Sequence, residues 1–239
     1  MVSFCYDLAM NREDSQTEKD VGTHDRSASV KLATELSAIR ADVEQNEARR
    51  IKVDLADGYT PEESAELISS SQAALEAIGQ YLGVSAEDLF PGLQIKISDT
   101  VDGGGLAVAG DNTIYMHGRR MLLSIDQMRE VSGAWDAHEL TEFPDMASPG
   151  GAMRYNLVHE VGHILDEQTL SGRPGHRIVA SESPTRYGRE PDQYNSEKDH
   201  EAFAEGFAHM IYGMEVSEPM AAAVQQTIAA RQSELASKT

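Results

Sequence analysis

The chain has 239 residues, 40% of them hydrophobic and 25% charged, which is ordinary globular composition with enough length to bury a core. Twenty Lys and Arg against 40 Asp and Glu give a net charge of −20, spread along the whole chain. With no basic stripe to neutralise phosphates, nucleic acid and anionic membrane are excluded as expected partners, and a lone cysteine, Cys5, excludes a disulfide scaffold.

No run reaches the ~18 apolar residues of a bilayer span. The opening MVSFCYDLAM has no basic region, its apolar stretch is broken by Asp7, and it does not read as a signal peptide. The expected location is cytoplasmic, or outside the cell by a specialised export route. Residues 1–27 are polar and weakly periodic and read as a tail, residues 28–90 as a helical N-terminal region, and residues 91–239 as the chemical domain.

From Ala28 to about Arg50, Val30 or Leu32, then Leu36, Ile39 and Val43, fall at helical spacing. A short strand, IKVDL, follows. Thr60-Pro61-Glu62-Glu63 then supplies an N-cap, a proline at the first helical position and a carboxylate at the third. This helix should present Leu67, Ile68, Leu75, Ile78 and Leu82 on one side and stop at Gly83. Ser85 begins a further short turn.

LQIKIS alternates as a strand does, and GLAVA and NTIYMH flank a turn at Gly110-Asp111-Asn112. A helical stretch is expected around Met121–Val131. Ser148-Pro149 should cap a strong helix running to Gln168, Ser196 should open another, and a last helix should fill about 217–236. The expected fold is α+β: a small mixed sheet with an edge strand, one side covered by helices.

The chemistry concentrates in Leu157-Val158-His159-Glu160-Val161-Gly162-His163. Histidines at i and i+4 share a helix face and can hold one zinc ion, with Glu160 beside them as a general base for water. Met153, Leu157, Val161 and Leu165 would bury the rest of the helix. The short pattern also arises by chance, as two helix histidines beside a surface glutamate. A catalytic zinc needs a third ligand, and Asp166 and Thr169 stand where the metzincin extension needs Gly and His. The best source is His200-Glu201-Ala202-Phe203-Ala204-Glu205, where Glu201 and Glu205 share a face and Phe203 and Phe207 enter the core. Such a pair suits a ligand plus an acceptor for a ligand histidine, against the alternative of a solvated acidic face.

These two motifs, with Glu201 lying 38 residues after His163, resemble the gluzincin metallopeptidases of the anthrax lethal factor type, which include the Pro-Pro endopeptidases. The resemblance spans about residues 93–215. It implies one zinc ion per chain held by His159, His163 and Glu201, catalysis by Glu160, and an oxyanion-stabilising tyrosine upstream of Glu201. Tyr194 has the family's spacing, seven residues before the glutamate, whereas Tyr187 has the small neighbour, Gly188. A peptide or protein substrate would lie antiparallel to an edge strand, for which Gly105–Ala109 is the candidate. His117, His138, His176 and His209 lack ligand spacing, His200 points about 100° away from Glu201 on a helix, and Cys5 reads as incidental. The alternatives are a narrow-target toxin or effector protease, and a non-catalytic phage or secretion-system component that uses the fold for interaction.

Overall fold

A computed structural model of the chain describes residues 47–100, 107–110, 112–124, 127, 148–169, 182–184 and 199–237, with seven helical residues between 31 and 41. The chain divides into two compact units, Met1–Gln45 and Asn46–Thr239. In the first, Lys31 and Glu35 form an i,i+4 ion pair at 4.0 Å. The apolar positions Val30, Leu32, Leu36, Ile39 and Val43, and the tail with Cys5, lie outside the described residues. The boundary expected at residue 90 is displaced to 45/46, because the segment that follows is joined to the larger unit through its sheet and its core.

That sheet has the strand order β1-β2-β4-β3, formed by β1 (Lys52–Leu55), β2 (Gln94–Ser98), β3 (Ala107–Gly110) and β4 (Thr113–His117). β1 pairs in parallel with β2, and β2 in parallel with β4, while β3 runs antiparallel to β4 along the edge. The architecture is α+β, as expected. Ile95, Ile97, Ile114 and Met116 are fully buried, while the alternate residues Lys96 and Tyr115 share the other face, with the ammonium 5.4 Å from the ring centroid. Gly110 pairs with Thr113 across the turn, and Asn112 takes the positive φ of 58° that such a tight turn demands; residue 111 lies outside the described residues.

Helix α1 (Pro61–Leu82) starts on the expected capping box. The Glu63 amide donates to Thr60 Oγ1 at 3.2 Å, and the Thr60 amide donates to Glu63 Oε2 at 2.8 Å. It ends on Gly83 at φ 67°. The face expected to be buried is corrected in part: Leu67 and Ile78 are buried, but Ile68 is 38% exposed. Small residues take its place, with Ser70, Ser71 and Ala74 lining the contact, and the Ser71 hydroxyl satisfied by the Leu67 carbonyl at 2.7 Å. Helix α2 (Ala86–Leu89) is the short turn capped by Ser85. Helix α3 (Gly118–Met121) is shorter and earlier than the helix expected at 121–131; Gln127 is helical again, and residues 128–131 lie outside the described residues.

Helix α4 (Gly151–Gln168) carries the histidine motif and ends as expected. Its N-cap is Gly150 at φ 70°, not Ser148-Pro149, and a side chain at Gly150 would collide with Glu66 and Ser70 of α1. Ser148 instead accepts from Arg154. Helix α5 (Asp199–Ile211) carries the acidic motif, and residue 196, its expected cap, lies outside the described residues. Helix α6 (Glu218–Ala236) is capped by Ser217. Its buried Arg231 donates to the Leu89 carbonyl at 3.2 Å and to Gln168 Oε1 at 2.7 Å, and Gln168 donates to Asn112 Oδ1 at 2.8 Å. One guanidinium thereby ties α6, the end of α4 and the strand hairpin together.

The candidate metal centre

Helix α4 is buried on nearly all sides. Met153, Leu157, Val161 and Leu165 have no exposure, as expected, and Tyr155, Asn156, His159 and Glu160 are buried with them. Such depth for polar groups is stable only if each finds a partner; α5 supplies them for Tyr155 and His159, while Asn156 donates to the Ala152 carbonyl of its own helix at 2.8 Å. Phe203 and Phe207 anchor α5 in the core, and the two helices meet where Gly162 faces Ala204. A Cβ at Gly162 would lie 2.9 Å from Ala204 Cα, so glycine is what permits this approach.

At that contact two polar stripes face each other, Tyr155, His159 and His163 on α4 against Glu205 and Glu201 on α5. The chains run in opposite senses, so Tyr155 meets Glu205, His159 lies between the two glutamates, and His163 meets Glu201. His159 Nε2 and His163 Nε2 are 3.1 Å apart, and Glu201 Oε2 is 3.4 Å from the first and 3.5 Å from the second. The three groups can each turn one ligand atom to a common point, all within 4.8 Å of one another, and could hold a metal ion. A tetrahedral ion with bonds of about 2.0–2.1 Å sets its ligands roughly 3.3 Å apart, and the observed separations bracket that value.

Glu205 does not join the ligand atoms. Its Oε1 lies 3.2 Å from His159 Nδ1, the ring nitrogen facing away from them, and its Oε2 accepts from the Tyr155 hydroxyl. Burial alone would lower the His159 pKa, but the Glu205 and Glu201 carboxylates outweigh it and hold the imidazole well above its ordinary value. Metal binding would displace that proton. Burial would raise the Glu205 carboxyl, yet His159 and the Tyr155 hydroxyl overcome it and keep it below its ordinary value.

Glu160 is buried beside the histidines, and burial pushes its carboxyl above the ordinary range against the pull of His163 and His159. The Ala109 backbone of β3 also lies beside this carboxylate and opposes the shift. The candidate edge segment Gly105–Ala109 overlaps a strand at Ala107–Gly110, which is an edge strand among the described residues and borders Glu160; residues 105–106 lie outside the described residues.

The structure therefore brings together His159, His163 and Glu201, with Glu160 and Glu205 beside them. Tyr187, Tyr194, His138 and His176 lie outside the described residues, as does the side chain of His200. His117 and His209 stand apart from the ligand group. Tyr155 is not among the sequence candidates; it could have been found, because it lies one helical turn before His159 on the same stripe, whereas Ala109 enters there only as the end of the edge segment. Among the described residues no helix is long and apolar enough to cross a membrane. Comparison with protein-family models, curated proteins and solved structures finds no match for this chain.

Proposed function

We propose that the protein is a zinc-dependent endopeptidase of the gluzincin type, with His159, His163 and Glu201 as zinc ligands and Glu160 as general base. The observation that carries this reading is the position of Glu160. It adjoins a group of three donors and lies beside the backbone of an edge strand. Two imidazoles and one carboxylate are the donor set of catalytic zinc. Zinc bound there would supply Lewis acidity toward a carbonyl and lower the pKa of water.

The chain's own residues do the rest. Glu160, kept out of bulk water, accepts a proton from the attacking water and returns it to the leaving amine. Among the described residues β3 pairs with β4 alone, and an edge of this kind can pair with an extended peptide, which favours a peptide over a sugar or nucleotide as substrate. The buried Glu160 also weighs against a purely scaffolding role, since an interaction surface gains nothing from a carboxylate in that position.

A cleavage assay on a random peptide library with the zinc-loaded protein tests the proposal. Glu160→Gln should retain zinc and lower turnover by about 10²–10⁴. Cleavage by that variant at the wild-type rate would refute the assigned route, and no cleavage by the wild type would favour the non-catalytic alternative.

A further inference from the structure

The geometry points to Tyr155 as a positioning residue of the metal centre, acting through Glu205 to aim His159. This inference rests on the proposed zinc site and adds a residue to it. Tyr155 is 4% exposed, Glu205 5% and His159 7%, so water is not available to any of the three as a substitute partner. The two oxygens of Glu205 are divided between two partners: Oε2 accepts from the Tyr155 hydroxyl, and Oε1 stands 3.2 Å from His159 Nδ1 in an ion-pair contact.

Each bond constrains the next. With Nδ1 carrying the proton toward Glu205, the Nε2 lone pair of His159 is the one that faces His163 and Glu201. The carboxylate can hold that orientation only if its other oxygen is fixed, because a carboxyl group with one satisfied oxygen is free to rotate about its last bond. The Tyr155 hydroxyl supplies that second fix from the same helix as His159, one turn earlier, with the two rings 6.4 Å apart at 43°. Donor and target are thus mounted on one rigid element. A shift of α5 relative to α4 is registered at both ends of Glu205 together.

The chemistry also accounts for the residue type. A phenol this deep costs free energy unless its hydroxyl is partnered. Phenylalanine would fill the same volume at no such cost but would leave a buried carboxylate oxygen unsatisfied.

The test is zinc affinity, measured by competition between the full chain and a chromophoric chelator, for the wild type, Tyr155→Phe, Glu205→Ala and the double variant. Tyr155→Phe should weaken zinc binding roughly 10-fold and Glu205→Ala roughly 10–100-fold, the range for loss of a ligand's orienting partner. In the Glu205→Ala background, adding Tyr155→Phe should change affinity by less than about 2-fold, because the path from the hydroxyl to His159 is already cut. A merely structural tyrosine would give losses that multiply. Equal affinity of Tyr155→Phe and wild type, or multiplying losses, overturns the inference and leaves the zinc site standing; absence of zinc binding by the wild type overturns both. A second measurement needs no substitution: the zinc-loaded wild type should show a slowly exchanging Tyr155 hydroxyl proton by NMR. Its absence overturns the inference even if a variant fails to fold.

Discussion

Gly162→Ala is the smallest change that should separate the two halves of the metal centre. The added methyl would sit 2.9 Å from Ala204 Cα and 3.3 Å from both Ala204 Cβ and Phe207 Cδ1. Carbon contacts are comfortable at about 3.5–4.0 Å, so α4 and α5 must part by roughly 0.6–1 Å at this point. Overpacking of this kind costs about 1–3 kcal/mol, offset by about 1 kcal/mol from the better helix propensity of alanine. The net loss of stability is therefore modest, on the order of 0–2 kcal/mol. The effect on the site should be larger in proportion. His159 and His163 stand on α4 and Glu201 on α5, so the separation falls directly on ligand atoms now 3.4 and 3.5 Å apart. Zinc affinity should drop by roughly 10-fold or more, comparable to losing an orienting partner, while the far-UV spectrum is retained. Chelator competition and thermal unfolding of the metal-free protein, run side by side, separate the two effects. A variant that binds zinc as tightly as wild type, whatever its stability, would show that the helix contact does not set the ligand geometry.

Two further outcomes bear on the ligand set and the oxyanion. Glu201→Ala should lose most bound zinc, since two histidines alone remain; full occupancy by elemental analysis would remove Glu201 from the ligand set and bring Glu205 or His200 back into consideration. Of Tyr187→Phe and Tyr194→Phe, the one that removes the oxyanion donor should lower kcat by about 10²–10³ with zinc content unchanged, and the other should change it little. Small, equal losses in both would place the oxyanion contact elsewhere.

What could be read from the sequence was what local spacing determines. Thr60 and Glu63 cap each other across one turn, Gly83 ends the helix they start, and Asn112 turns the chain between adjacent strands; each needs only residues a few positions apart. The same holds for His159 and His163, and for Glu201 and Glu205, as pairs. The missed features depend on partners far along the chain. The boundary at 45/46 follows from β1 pairing with β2, Lys52 against Gln94, and no pattern within IKVDL announces a parallel neighbour so distant. Ser70, Ser71 and Ala74 are buried on α1 while Ile68 is exposed, so hydrophobicity alone ranks these positions wrongly. Gly150 replaces Ser148 as the helix start because Glu66 and Ser70 of α1 occupy the space a side chain would need.

The depth of the site supplies a last argument for its occupant. Between α4 and α5 the chain buries the His159 imidazole and two carboxylates and partly buries the His163 imidazole, and each must be matched or it destabilises the fold. Glu205 is matched by Tyr155 and His159 Nδ1. On the other side of His159, three lone-pair-bearing atoms, His159 Nε2, His163 Nε2 and Glu201 Oε2, crowd within 3.5 Å of one another. A proton can bridge two of these atoms at a time and leaves the third facing a lone pair. A divalent cation at their centre satisfies all three at once, and it does so at the separations already present. The surrounding chain therefore holds the ligands in place rather than folding around the ion, and zinc should add stability roughly as RT ln(1 + [Zn]/Kd) without changing the helix content. A large gain in helix signal on adding zinc to the metal-free protein would refute that preorganisation.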